Sequence, residues 1–204
     1  RAAGWKLLTS SYDTVVRLEN KGLFEKYAVE LGLQEHLPKH YTSAESAAYP
    51  CILKPPTGEF GKNMSIVRSP ADVRVILGDK PPGDTLLLQE LVPGRYEYST
   101  SMLVLEGRIL DLVCIRYEYD AEEYVWPKVK EVGKRMDSVS LDHTSIMSCF
   151  LAGYSGFCNF NYKIAPDGGL RIFEVNTRVG ADFACDVPRE KARSMMERLA
   201  SLAP

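Results

Sequence analysis

Residues 156–178 read GFCNFNYKIAPDGGLRIFEVNTR, two β-rich runs on either side of Pro166-Asp167-Gly168-Gly169. A two-residue turn at Asp167-Gly168 pairs Pro166 with Gly169. A four-residue connection pairs Ala165 with Leu170, and both options give one register. That register sets Asn161 opposite Glu174 and Asn159 opposite Asn176. Side chains alternate along a strand, so Asn159, Asn161, Glu174 and Asn176 share one face. Phe160, Tyr162, Phe173 and Val175 share the other, as a core requires. A three-residue loop would slip the register and break this pattern.

Four oxygen-bearing side chains on neighbouring strands, one of them anionic, suit a hard divalent cation such as magnesium. A solvated hairpin face carries the same residues, and Glu-x-Asn on a strand does not separate the two readings. Outward from the hairpin, Cys51 to Lys54 reads as a short buried strand, followed by a turn-rich loop, PPTGEFGKN, over residues 55–63. A lysine at a strand end beside Gly58 and Gly61 can meet phosphates, because glycines let backbone N–H groups approach an anion. A surface turn with a snorkelling lysine is the plainer alternative. No Walker A loop and no G-x-G-x-x-G is present. Gln89-Glu90-Leu91-Val92 leaves a buried strand, Thr85 to Glu90, just before Pro93-Gly94. An extended segment there can offer backbone donors and acceptors to a planar base, and Glu97 beyond the turn can accept from hydroxyls. Each of these is also compatible with plain structure.

The remaining elements follow from periodicity. Thr14 to Leu18 is weakly strand-like, and Lys21 to Gly32 carries Leu23, Phe24, Tyr27, Ala28 and Leu31 at helical spacing. Met64 to Val67 reads as a strand. Ser69 caps a helix with Pro70 at its first position. Residues 97–105 and 108–119 form a hairpin about Glu106-Gly107, and 120–138 is charged and aperiodic, a loop or lid. Helices are expected over 141–154 and 188–202. The order is α+β.

Composition excludes several classes. The 204 residues are 45% hydrophobic with a formal charge of −2, enough for a core and no invitation to nucleic acid or an anionic membrane. No apolar run spans a bilayer. Cys51, Cys114, Cys149, Cys158 and Cys185 show no C-x-x-C spacing, which points to buried free thiols in a reducing, cytoplasmic setting. His36, His40 and His143 make no zinc pattern. The chain opens on Arg1, so residues 1–18 are taken as the remnant of an upstream domain or linker.

In sequence order these segments resemble the ATP-grasp superfamily. ENKGLFEKYAVELGL (19–33) is similar to its opening helix, and YPCILKPPTGEFGKNMSIV (49–67) to its strand ending in Lys-Pro and its glycine-rich loop. LLQELVPGRYEY (87–98) resembles the segment between the lobes, a Gln-Glu pair followed by a glycine and a further glutamate. Glu174-Val175-Asn176-Thr177-Arg178 resembles the E-x-N-x-R of the magnesium hairpin. The likeness spans about residues 19–185 and is closest to carbamoyl-phosphate-synthetase-like carboxylate–amine ligases.

The resemblance implies two α+β lobes gripping ATP, a small one over about 45–88 and a large one over about 89–204. It implies that Lys21 and Lys54 contact phosphates and that Gly58 and Gly61 belong to the closing loop. Gln89, Glu90, Leu91 and Val92 then hold adenine, Glu90 and Val92 through backbone groups, while Glu97 binds ribose. Glu174, Asn176 and Asn161 are the implied magnesium ligands, and Arg178, with Lys54, faces the transferred phosphoryl group. Asn161 departs from the usual Asp, Glu or Gln at its position. The implied reaction joins a small-molecule carboxylate to an amine through an acyl phosphate, releasing ADP and phosphate. A non-catalytic ATP-binding module and a phosphotransferase are the alternatives on this fold. The resemblance is also compatible with a homodimer and an upstream domain.

Overall fold

The computed structural model describes residues 8, 10–58, 63–83 and 85–202. The chain runs α1 (Tyr12–Glu19), α2 (Lys21–Glu30), a 3-10 turn (Gln34–His36), β1 (His40–Tyr41), β2 (Cys51–Lys54), β3 (Ser65–Val67), α3 (Pro70–Leu77) and β4 (Leu87–Glu90). It continues through β5 (Tyr96–Leu105), β6 (Arg108–Tyr119), β7 (Glu131–Asp137), α4 (Leu141–Cys149), β8 (Gly156–Ile164), β9 (Leu170–Asn176), α5 (Ala181–Cys185) and α6 (Arg189–Leu202). The class is α+β, with two wholly antiparallel sheets ordered β1-β4-β2-β3 and β7-β6-β5-β8-β9.

Local chemistry accounts for most elements. Ser69 accepts from the Asp72 N–H, and Pro70 opens α3. Asn20 caps α2 by accepting from the N–H groups of Gly22 and Leu23, which fixes the start of the helix at Lys21. Glu106 and Gly107 take positive φ at 49° and 82°, the form that a tight hairpin needs. Thr14 to Leu18 is helical rather than strand-like. Ser11 caps α1 by accepting from Thr14, and Leu18 docks into the core. Residues 131–137 are likewise not loop but the edge strand β7, paired along β6. Its exposed pattern hid it, because an edge strand buries little. The helix expected over 141–154 ends at Cys149.

The small sheet packs Cys51, Leu53 and Leu88 with Val73 of α3. The large sheet is covered on one face by α1, α2 and α4, through Leu18, Phe24, Met147 and Phe150 against Phe160, Tyr162 and Val175. Its other face is divided. At one end Leu103, Val113, Ile115 and Phe157 pack under Phe183 and Met195 of α5 and α6. Along the same strands and face, the side chains then turn polar: Ser101, Ser99 and Glu97 on β5, and Asn159, Asn161 and Lys163 on β8. That polar half faces the small sheet across a cleft.

The β8–β9 hairpin departs from expectation near its tip. Ile164 pairs with Leu170, Lys163 with Arg171 and Tyr162 with Ile172, so the slipped register does occur there. A bulge between Asn161 and Tyr162 absorbs the slip at Phe173. The expected pairs Asn161–Glu174 and Asn159–Asn176 are thereby restored. Phe173 leaves the core face as a result. The core of β9 is Leu170, Ile172 and Val175, and Phe173 turns into the cleft beside Glu174.

Candidate functional site

The cleft has a volume of about 460 Å³ and is lined by both sheets. It gathers Lys21, Lys54, Gly58, Gln89, Glu90, Leu91, Val92, Glu97, Asn161, Glu174, Asn176 and Arg178. Every site residue expected from sequence is there except Gly61, which lies outside the described residues.

Lys54 ends β2, with Leu53 turned into the small core, and alternation aims the lysine at the cleft. It is 3% exposed, and among the described residues no carboxylate lies within ion-pair distance. Burial drives its ammonium down to about 7, and the nearby charge of Lys21 adds to the drop while Glu174 opposes it. Lys21, placed by the Asn20 cap, reaches Glu174 Oε1 at 3.0 Å. Asn161 Nδ2 donates to Glu174 Oε2 at 3.5 Å.

The donor set for a metal is one carboxylate and two amide oxygens, from Glu174, Asn161 and Asn176. Among the described residues no three His, Cys, Asp or Glu side chains gather into a metal site. Such a set fits magnesium only as the family of oxygen-seeking ions that keep water and share phosphate oxygens, not a cation caged by protein.

Between the sheets, Lys163 is the residue that the sequence reading missed. Its Nζ donates to the carbonyls of Val92, at 3.0 Å, and Gly94, at 2.8 Å, fastening the segment that joins the sheets to β8. Tyr124 lies over it, with Nζ 4.1 Å from the ring centroid, and donates to Glu97 Oε2 at 3.2 Å. Burial lowers Lys163 to about 8 and raises Glu97 to about 7, each countered by the other's charge. Lys163 shares its parity with Asn159 and Asn161, a signal already present in the strand's period of two.

Asn159 is not a cleft ligand but a brace. It is 2% exposed, and its Nδ2 donates to Ser99 Oγ at 2.9 Å, Ser101 Oγ at 3.2 Å and Asp182 Oδ1 at 3.2 Å. Burial raises the Asp182 carboxyl above its ordinary value. No local signal marks Asp182, which meets Asn159 only through the fold. The 120–130 segment also contributes, since Tyr124, Val125 and Trp126 line the cleft. Of the five free cysteines, Cys149 and Cys185 are exposed, contrary to the expectation that all are buried.

A cleft with three lysines, an arginine, a carboxylate flanked by amides and an extended apolar segment suits a polyphosphate carried on a flat base. No family model and no curated protein matches the chain; its likeness is to solved structures. An L-amino acid ligase from Bacillus licheniformis superposes with a TM-score of 0.61 at 15% identity, over 84% of this chain and 43% of that one. Carboxyaminoimidazole ribonucleotide synthase from Aspergillus clavatus, complexed with ATP, gives 0.63 at 14% identity, over 87% and 50%. D-alanine–D-alanine ligase from Bacillus anthracis gives 0.59 at 16% identity, over 97% and 72%. The chain thus spans about half or less of the first two structures. At these identities the likeness establishes the fold, which is that of the ATP-grasp ligases. No described helix is long and apolar enough to cross a membrane.

Proposed function

We propose that this chain, which has the ATP-grasp fold, is the nucleotide-binding and catalytic part of an ADP-forming ligase that joins a small-molecule carboxylate to an amine. The observation that carries the reading is the convergence of Lys54, Lys21, Glu174 and Arg178, drawn from three separate segments, on one cleft. Lys54 and Lys21 offset the triphosphate charge, and Glu90 and Val92 present backbone groups to the adenine edge. Glu97 accepts from the ribose, and Phe173 supplies an apolar surface. Glu174, Asn176 and Asn161 would hold magnesium, which supplies charge neutralisation on the phosphates when bound.

The substrate carboxylate attacks the γ-phosphorus, the bond to the β–γ bridging oxygen breaks, and ADP leaves. Arg178 and Lys54 offset the charge on the transferred group, so catalysis rests on positioning and electrostatics. The amine then adds to the acyl carbon, and phosphate departs with one oxygen of the original carboxylate. With the substrate carboxylate labelled with heavy oxygen, inorganic phosphate should carry the label and ADP should be the nucleotide product. Unlabelled phosphate with a stable phosphorylated substrate would establish a phosphotransferase instead.

A second reading is favoured by Asn161. A short neutral amide stands where the ATP-grasp pattern usually has Asp, Glu or Gln, which suits a module that binds nucleotide without turning it over. Tight Mg-ATP binding with no substrate-stimulated ADP release would decide for it.

A further inference from the structure

Behind the cleft, Gln89 is 3% exposed and tied into a chain of polar groups. Its Nε2 donates to the Pro38 carbonyl at 3.4 Å and meets His40 Nε2. His40 Nδ1 in turn meets Glu25 Oε2, across from β1 to α2. The His40 side chain is 8% exposed and that of Glu25 37%.

The partners determine the proton positions. A carbonyl only accepts, so Pro38 requires the nitrogen of the Gln89 amide on its side. The Glu25 carboxylate takes the proton of His40 Nδ1, which leaves Nε2 as a lone pair facing the second hydrogen of the same amide. Both amide hydrogens are then used inside the protein. Oε1 accepts from no group among the described residues, and Gln89 lines the cleft beside Ile52, its partner across β2 and β4. The cleft therefore meets Gln89 as an acceptor only.

We propose that His40 and Glu25 are positioning residues that lock the Gln89 amide, and that through it they make the cleft select a purine with a 6-amino group over one with a 6-oxo group. The inference rests on the nucleotide-binding reading above. An amino group donates to Oε1, whereas an oxo group opposes acceptor to acceptor and leaves both unpaired. Without His40 only the 3.4 Å bond to the Pro38 carbonyl holds the amide, too little to stop it turning over to present its nitrogen, which the oxo base accepts.

The test is the ratio of affinities for ATP and inosine triphosphate, by calorimetry on wild type, His40→Phe and Glu25→Leu, with thermal midpoints recorded. The two nucleotides carry the same phosphates, so changes in general charge or folding cancel in the ratio. Wild type should prefer ATP by ~10-fold or more, and His40→Phe should reduce that ratio at least ~5-fold. Glu25→Leu should move it in the same direction, and it decides the matter alone if His40→Phe fails to fold. Parallel losses for both nucleotides, or an unchanged ratio in the variants, would overturn the positioning role and leave nucleotide binding intact. Equal wild-type affinity for the two nucleotides overturns it as well. Wild type binding neither nucleotide overturns the nucleotide reading itself, and this inference with it.

Discussion

Lys21 Nζ lies 3.0 Å from Glu174 Oε1, joining the first turn of α2 to the last hairpin strand, 153 residues apart. The pair links the phosphate-facing and metal-facing ends of the cleft, and the field of both groups reaches Lys54. Removing either partner therefore changes the electrostatics of a third residue that it does not touch.

The titration of Lys54 gives the first prediction. Its folded value of about 7 lies below the ordinary 10.5. The buried charge therefore costs stability below about 7, and the cost fades as pH rises from there toward the ordinary lysine value. Near pH ~8 the folded protein holds Lys54 mainly neutral, and a bound triphosphate restores its proton. Calorimetry in buffers of different ionisation heat should find close to one proton taken up per Mg-ATP at that pH, and much less near ~6. Lys54→Met should abolish the uptake, and Lys54→Ala should weaken binding at least ~10-fold, about 1.4 kcal/mol. An uptake that survives in the Met variant would assign it elsewhere.

Glu174→Gln keeps the shape of the side chain and removes its charge. Magnesium-dependent turnover should fall by ~100-fold or more. The lost pair is only partly buried, with Glu174 29% exposed. The thermal midpoint should therefore move by no more than about 4 °C. Full activity at ordinary magnesium concentrations would return Glu174 to a merely solvated role.

Asn161→Asp sets two carboxylates side by side, because Asn161 already reaches Glu174 Oε2. Without metal the variant should melt lower than wild type, since like charges repel. Added magnesium should reverse the order and raise its midpoint more than that of wild type. A midpoint that ignores magnesium would count against both residues as ligands.

Gly180 is packed against the brace. A Cβ there would stand 2.2 Å from Asp182 Oδ1 and 2.9 Å from Asn159 Cγ. Gly180→Ala must push the carboxylate out of its place under Ser101 and Asn159. Chemical denaturation should show a loss of about 2 kcal/mol or more. A loss within error would mean that the α5 turn yields freely.

Lys163→Met removes the donors that serve the Val92 and Gly94 carbonyls. Stability should drop by about 2 kcal/mol. Nucleotide affinity should drop with it, because the fastened segment carries Val92. Unchanged affinity in a destabilised variant would confine Lys163 to a structural role.

Much of this molecule was legible in its residues, because alternation and capping are local rules. Asn161 facing Glu174 follows from the strand period, whereas Lys21 and Arg178 were named through the resemblance of their segments to the ATP-grasp motifs. The α+β order followed from the strand and helix periods. Thr14 to Leu18 misled because β-branched residues favour strands in isolation, whereas the Ser11 cap and the docking of Leu18 decide for helix. The edge strand β7 left no periodic trace, since pairing with β6 rather than burial makes it a strand.

What tertiary structure alone decided is which groups meet. The bulge that turns Phe173 out of the core depends on a slip at the hairpin tip being cancelled before Asn161. The slip itself starts in the turn, where the Ala165 N–H donates to the Gly169 carbonyl across three residues and Gly168 takes a φ of 82°. Asn159 finds Asp182 where α5 packs on the large sheet, Lys163 finds the Val92 carbonyl where the linking segment passes β8, and His40 finds Gln89 across β1 and β4 and Glu25 where α2 meets that strand. Local sequence sets a side chain's direction through the strand and helix periods. The burial of a side chain and the distance to its partner depend on packing between elements far apart in the chain, and that packing is what lowers the Lys54 ammonium to about 7.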